Sequence, residues 1–383
     1  MLDIFLMDAG RHRNATGYGA SARSLIRTLS SRPDVNLTLQ SAVNPWEIDE
    51  RAKESVIHLV RSKSTPDKTD IVLQICPPNS FKKVAQKSIG LTYCDTSNFP
   101  REWIANLKNI DAIIAPSRYN YDIYKNLHSQ VFLAQQGLCT DLYKPHPRFR
   151  TEGVKEFTFI CISSYSFRKG SDLLIDAFFE EFSAGEAHLH FHVQEKQVDA
   201  CVNHVFKASR TTEKPPHMTI TSSKLSDAWM VRLVNRSDCF VLPTRGEGWG
   251  LPICEALLCE KPVIAPYNSA LQDYLNPEFT FMVESNAKAI DEITDQFGLN
   301  FKSTYEKNGI NYAEPDYKSL KKAMREAHTL SEEKRLMMGQ AGRAAILNNH
   351  TELLFGQRVY DALLKFRRHI RVKERKEKNK VFE

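Results

Sequence analysis

The feature that most constrains this 383-residue chain is a series of short runs apolar on both faces, each followed by a helical pattern. The runs read DIFLM, LTLQ, DIVLQI, IGLTY, DAIIAP and VFLAQ in the first part, then FTFICISS, LHFHV, MTIT, CFVLP, PVIAP and FTFMV in the second. A strand apolar on both faces must be covered on both. Helices inserted between successive strands provide that cover when the strands run parallel. The expected fold class is therefore α/β, with doubly wound, Rossmann-like sheets. The length exceeds what one hydrophobic core usually supports, so two domains are expected. The strand series breaks at 144–156, KPHPRFRTEGVKE, a polar, proline-containing stretch that reads as the linker between domains. The expected division is 1–148, 149–350 and a terminal segment 351–383. After Phe279–Val283 the chain is expected to turn helical, with SEEK and TELL each opening a helix behind a Ser or Thr cap.

Charge is concentrated. The tail RRHIRVKERKEKNK (367–380) holds eight Lys and Arg against two Glu, so it alone accounts for the formal net charge of +6 and the remainder is balanced. Affinity for an anionic membrane or a nucleic acid is expected to reside there, and a solvated, frayed helix end is the plainer reading of the same residues. No run of about 18 apolar residues suggests a membrane span. MLDIFLMDAG lacks a basic leader and reads as a first strand rather than a signal peptide. The eight cysteines form no CxxC pair and several lie in apolar runs, which is the usage of reduced thiols. A cytoplasmic protein, peripheral to a membrane at most, is expected.

The richest stretch for chemistry is TRGEGWGLPICEALLCEKPVIAP, 244–266. CFVLP before it reads as a buried strand, TRGEGWG as its exit loop, and LPICEALLCE as a helix with Pro252 in the first turn, where proline is tolerated. The glycines let the backbone approach a ligand, and the helix start offers N–H groups to an anion. Glu255, one turn inside the helix, is placed for ligand hydroxyls, while Glu247 on the loop addresses another part of the same ligand. An anion flanked by hydroxyls describes a nucleotide sugar. Two open parallel sheets also imply ligand binding at the carboxyl ends of their strands, in a cleft between the domains.

Glu247 and Glu255, with seven residues between them inside GEGWGLPICEAL and followed by KPVIAP, closely resemble the signature of glycosyltransferase family 4, retaining enzymes of GT-B fold. FRKGSDLLIDAF (167–178), LSDAWMVRLVNRSDCFVLP (225–243), QQGLCTDLYKP (135–145) and NYAEPDYKSLKKAM (311–324) resemble further parts of the family, so the likeness extends over nearly the whole chain. The resemblance implies a first domain on the acceptor side, a second on the donor side, and a last helix crossing back to the first. It implies that Glu255 binds the donor ribose, that Glu247 contacts the donor hexose, and that the backbone of Gly248, Trp249, Gly250 and Leu251 reaches sugar and diphosphate. Arg168 and Lys169 would neutralise the departing diphosphate. No cofactor or metal is implied beyond the nucleoside-diphosphate sugar itself. The acceptor would be a glycan or a lipid-linked sugar.

Two departures stand out. Ser163 and Ser164 occupy positions where many members carry a further arginine, and 89–117 lacks a histidine that many members use. Asp95 is the polar candidate left there, either functional or capping the helix that follows. In the first domain Gly17 and Gly19 open a helix. Gly17-x-Gly19-x-x-Ala22 approaches a dinucleotide fingerprint, but the loop GRHRNA intervenes after the strand, and a donor-phosphate loop fits better. His188, His190 and His192 share one strand face, a spacing compatible with zinc but equally with ordinary packing. Two other readings stay in view: a glycosyltransferase acting on modified bases in DNA, and a non-catalytic GT-B scaffold partnering an active enzyme.

Overall fold

The computed structural model describes residues 1–8, 16–40, 66–84, 87–146, 156–223, 225–289 and 310–381. The central part of the 144–156 linker and the loop GRHRNA lie outside these residues. The chain divides into two compact units. Met1–Cys94, Phe99–Cys139 and Asn349–Glu383 form the first; Asp95–Asn98 and Thr140–Asn348 form the second.

In the first unit β1 (Leu2–Met7), α1 (Gly17–Ser30), β2 (Val35–Leu39), β3 (Ile71–Ile75), β4 (Ser88–Leu91), α2 (Arg101–Asn106), β5 (Ala112–Ala115), α3 (Arg118–Tyr124) and β6 (Val131–Leu133) follow one another. Their strands form a parallel sheet in the order β2-β1-β3-β4-β5-β6. β3, β4 and β5 are buried along their whole length, as their uninterrupted apolar runs require.

The second unit runs β7 (Phe157–Ile162), α4 (Ser171–Glu181), β8 (Ala187–His192), α5 (Val198–Thr211), β9 (His217–Thr221), α6 (Asp227–Asn235), β10 (Cys239–Val241), α7 (Leu251–Leu258), β11 (Val263–Pro266), β12 (Thr280–Val283), β13 (Ser285–Ala289), β14 (Asn311–Pro315), α8 (Tyr317–Thr329) and α9 (Glu332–Asn349). Its large sheet is parallel, in the order β12-β11-β10-β7-β8-β9. The first strand of the unit thus lies beside the fourth, which is the switch point of a Rossmann sheet. All twelve runs expected to be strands are strands. The chain does not turn helical straight after β12, however. An antiparallel pair, β13 with β14, comes first. SNAKA has no apolar alternation and is largely exposed, so it carried no strand signal.

The last helix, α10 (Glu352–Val381), belongs to the first unit. Phe355, Val359, Leu363 and Phe366 fall at helical spacing, are at most 1% exposed, and join the core formed by β1–β5 and α1. Each such side chain contributes about 1.5–3 kcal/mol relative to exposure. Thr351 caps the helix by accepting from Leu354 N–H, as Ser331 accepts from Lys334 N–H in α9. Leu138 brackets the entry, donating to His350 O and accepting from Glu352 N–H. Arg27 of α1 pairs with Glu352 at 2.6 Å. The side chains of 373–383 lie outside the described residues, and with them most of the basic tail.

At Gly356 α10 approaches α1 tightly, since a Cβ there would stand 2.2 Å from Thr28 Oγ1 and 2.4 Å from Thr28 Cβ. Thr28 is held by its own bond to Ser24 O at 2.7 Å and has no long side chain to swing away. Gly356→Ala should therefore invert the usual helix preference. Propensity alone favours alanine by about 1 kcal/mol, yet overpacking here is expected to destabilise by about 1–3 kcal/mol, read as a lowered denaturation midpoint at unchanged slope.

Candidate functional site

β7 and β10 are neighbours in the second sheet, so their exit loops leave the same edge side by side. The β7 loop, 163–170, carries Arg168 and Lys169 into α4. The β10 loop, 242–250, carries Glu247 into α7. Both helices start on a left-handed glycine, Gly170 at φ 69° and Gly250 at φ 89°, and neither start has a side-chain cap. The glycines are forced twice over. Beyond the positive φ, a Cβ on Gly170 would stand 1.9 Å from Pro243 O, and one on Gly250 would meet Leu271 and Tyr274 inside 3 Å. Two helix N-termini therefore open at the switch point, where the backbone favours an anion.

Glu247 is the centre of this constellation. Its side chain is 7% exposed, and Oε1 receives Lys169 Nζ at 2.5 Å, Thr244 Oγ1 at 3.0 Å and the Arg168 guanidinium at 3.4 Å. Burial pushes the carboxyl pKa up. Lys169, then Arg168, and the hydrogen bonds from Lys169 and Thr244 outweigh that and hold it below the usual carboxylate range. The Glu247 amide donates to Ser269 Oγ at 2.9 Å, which fixes the loop from the β11 side. Arg168 also donates to Gly246 O at 2.6 Å.

Asp95 joins the same group. Its Oδ1 accepts from Gly248 N–H at 2.7 Å and its Oδ2 lies 3.5 Å from Arg168 Nε. It caps no helix: the position before α2 is Pro100, with no side-chain cap bond. Gly246 is packed against Asp95 so closely that a Cβ would stand 1.9 Å from Asp95 O. Trp249 is buried and rests on Tyr274, whose hydroxyl donates to Trp249 O and Gly250 O. Leu251 and Pro252 form the first turn of α7, and Glu255 lies one turn in, partly buried.

Of the residues singled out from the sequence, Lys169, Glu247, Arg168, Asp95 and Gly248 are thus linked in one chain of contacts. Trp249, Gly250, Leu251 and Glu255 continue the same chain segment. Gly17 and Gly19 belong to the first unit, in the first turn of α1, where Thr16 caps Gly19 N–H at 3.2 Å. Ser163 and Ser164 do not supply a cation. With Ser166 and Ser171 they knit the β7 loop together through Ser164 Oγ–Ser166 Oγ at 3.2 Å and Ser171 Oγ–Ser164 O at 3.3 Å.

Sequence reasoning missed Arg245, Asp172, Glu314 and Thr244. Arg245 is 3% exposed and forks to both oxygens of Asp172 at 2.8 Å and to Glu314 at 2.7 and 2.8 Å. Burial opposes its charge, but the two carboxylates outweigh this and raise its pKa above that of an ordinary arginine. No local pattern announces it, because its partners stand 73 and 69 residues away.

Other chemistry-bearing groups have ordinary explanations. His188, His190 and His192 hydrogen-bond to Thr219, Thr221 and Thr221 respectively, and burial lowers all three, His190 to about 4. Among the described residues no group of three or more His, Cys, Asp or Glu is placed to hold a metal ion. Cys161 and Cys254, the thiols nearest the loops, are pushed up to about 12 by burial and stay protonated. Among the described residues no helix is long and apolar enough to cross a membrane.

A strand–loop–helix with this paired-glutamate pattern, set beside a basic strand-exit loop at a Rossmann switch point, can be compared with known proteins. Residues 156–296 match the family model of Glycosyl transferases group 1. The match takes in β7 to β13 and both loops of the constellation. No curated protein sequence matches the chain. Among solved structures, Anabaena HepE in complex with UDP and glucose is 12% identical, covering 95% of this chain and 99% of that one, with a TM-score of 0.67. A glycosyltransferase from Rickettsia africae is 11% identical over 95% and 98%, at 0.63. Sucrose-phosphate synthase from Thermosynechococcus elongatus is 13% identical over 97% and 98%, at 0.64. At such identities the structural likeness speaks for the fold, which is GT-B. The group 1 match and the fold together support a glycosyltransferase.

The Lys169–Glu247 contact generates a pH test. The folded pKa of Glu247 lies below the unfolded value near 4.3, so its pairing stabilises the fold above that pH and is lost as pH falls through the folded pKa. Lys169→Met leaves the buried carboxylate with Arg168 as its nearest cation, and the folded pKa rises. The variant is expected to lose about 3–5 kcal/mol at pH 7. The deficit should shrink as pH is lowered toward 4 and Glu247 takes up a proton. Adding Glu247→Gln should recover most of it at pH 7. Thermal melts of the three proteins across this range provide the check.

Proposed function

We propose that the chain is a retaining, metal-independent glycosyltransferase that moves a hexose from a nucleoside-diphosphate sugar to an acceptor hydroxyl. The observation that carries this reading is the convergence of Arg168, Lys169 and Glu247, within 2.5–3.4 Å, on two uncapped helix starts at the switch point. The structural neighbour HepE was solved with UDP-glucose and with UDP and glucose, which supports a nucleotide-sugar donor here.

On this reading the diphosphate lies over the starts of α4 and α7, with Arg168 and Lys169 beside it. The bond between the sugar anomeric carbon and the diphosphate oxygen breaks, and its electron pair stays on the diphosphate. Negative charge grows there in the transition state, so fixed cations stabilise the transition state more than the bound donor. The acceptor oxygen bonds to the anomeric carbon from the face the diphosphate leaves, and its proton passes to a diphosphate oxygen. That retains the anomeric configuration and requires no protein base. Glu247 faces the sugar and its developing positive charge. Glu255, a turn further along α7, accepts from the ribose hydroxyls. Asp95, bonded to the Gly248 amide, is the proposed further site residue in place of a histidine. Gly17 and Gly19 are further proposed donor-binding residues. A glycan or lipid-linked sugar is the proposed acceptor, and the basic tail is the proposed contact with an anionic surface.

The test is a screen of UDP-, GDP-, ADP- and dTDP-sugars without acceptor, following thermal stabilisation and slow release of nucleotide. One donor should stabilise the wild type. Glu255→Ala should weaken that donor by about 10–100-fold, the loss of charged hydrogen bonds, and Lys169→Met should abolish nucleotide release. Binding that survives both substitutions would place the donor elsewhere. Binding without turnover, even with acceptors supplied, would favour a scaffold.

A further inference from the structure

Arg245 precedes Glu247 by two residues and touches the cation-bearing loop, the first turn of α4 and β14. Its amide donates to Arg168 O at 2.7 Å and its guanidinium to Phe167 O at 2.5 Å, so one residue fixes two successive carbonyls of the cation-bearing loop. The guanidinium lies 3.6 Å from the centre of the Phe167 ring. Its fork holds Asp172 in the first turn of α4 and Glu314 on β14, and its carbonyl accepts from Ala313 N–H at 3.0 Å. Thr244 adds a bond to Arg168 O at 3.1 Å. Asp172 is the one acidic residue in the first turn of α4, where a bare carboxylate would repel an anion, and Arg245 neutralises it.

We propose that Arg245 is a positioning residue: through its planar fork to Asp172 and Glu314 it holds Gly246 and Glu247 in register with Arg168 and Lys169, and so sets the geometry of glycosyl transfer. The inference rests on the reading of the site given above. It assigns Arg245 no contact with substrate. Its geometry is one a lysine cannot reproduce, since an ammonium has three donors where the guanidinium makes five bonds, two to each carboxylate and one to Phe167 O. The β13–β14 pair thereby gains a role as the outer support of the loop.

The full chain is compared with Arg245→Lys and with the triple variant Arg245→Met/Asp172→Asn/Glu314→Gln. The triple variant carries no uncompensated charge, which removes the main cost of breaking a buried ion pair. Its melting temperature is expected within about 5 °C of wild type. Two further readouts separate positioning from plain stability. Amide exchange in peptides covering 244–250 should rise about tenfold while β7, β10 and β11 stay protected. With the donor found in the screen, kcat should fall about 100-fold, as about 1 Å of misplacement does, while KM for the donor changes less than about threefold. Arg245→Lys, which keeps a charge but not the fork, should show the same loop exchange and the same split between kcat and KM, and it carries the test if the triple variant does not fold. Wild-type exchange and wild-type kcat in the folded variants would overturn the proposal, leaving Arg245 a neutralising charge only. If wild type releases nucleotide from no donor, the glycosyl-transfer reading fails, and loop exchange alone then decides whether Arg245 holds the loop.

Discussion

Glu247 is a carboxylate with 7% of its side chain exposed, and the site exists in its present form because Lys169 reaches it at 2.5 Å. An isolated carboxylate at that depth would take up a proton or draw water in. The lysine comes from a different strand-exit loop, 78 residues earlier in the chain. The contact therefore ties two loops together as it neutralises a charge. Thr244, Arg168 and Ser269 complete the coordination of the same residue and leave its carboxylate and amide directed in fixed ways. Buried polar groups satisfied this fully define one arrangement rather than a family of them.

That contact is possible only because β7 and β10 are adjacent. In a sheet wound in simple sequence order their exit loops would lie strands apart. The reversal of winding after β9 brings the first and fourth strands of the unit together and opens two helix starts at one place. Gly170 and Gly250 let both turns tighten far enough for the helix starts to approach, which no residue with a Cβ could do against Pro243 O or Leu271. Topology, glycine and ion pair act in sequence, each needed by the next.

The parts legible in the sequence are those with local signals. Twelve strands could be read because burial on both faces leaves continuous apolar runs, and α9 and α10 because Ser331 and Thr351 cap them. Arg168, Lys169, Glu247 and Glu255 could be read because glycines and helix starts mark their surroundings. β13 and β14 could not, since their pairing depends on each other and not on an apolar face. Arg245 reads locally as one more charged residue, and only the distant carboxylates Asp172 and Glu314 make it a buried fork. Asp95 could be read as a cap or as a site residue. Its choice of Gly248 N–H and Arg168 depends on loops 153 and 73 residues away respectively.

Those carboxylates change how donor binding should be understood on the proposed function. Lys169 and Arg168 are not waiting bare for a diphosphate; Glu247 and Asp95 already engage them, and Asp95 already occupies the Gly248 amide. Binding a diphosphate is then an exchange of one anionic partner for another. The cost of desolvating two cations is met during folding rather than at binding. The exchange also has a direction. On that proposal, Lys169 turning toward the diphosphate would take from Glu247 its nearest compensation and make it a more effective partner for positive charge developing on the sugar. On the proposed function, a carboxylate and a lysine that neutralise each other at rest would face opposite charges of one transition state, and the burial that makes the pair necessary at rest would make each half effective in the reaction.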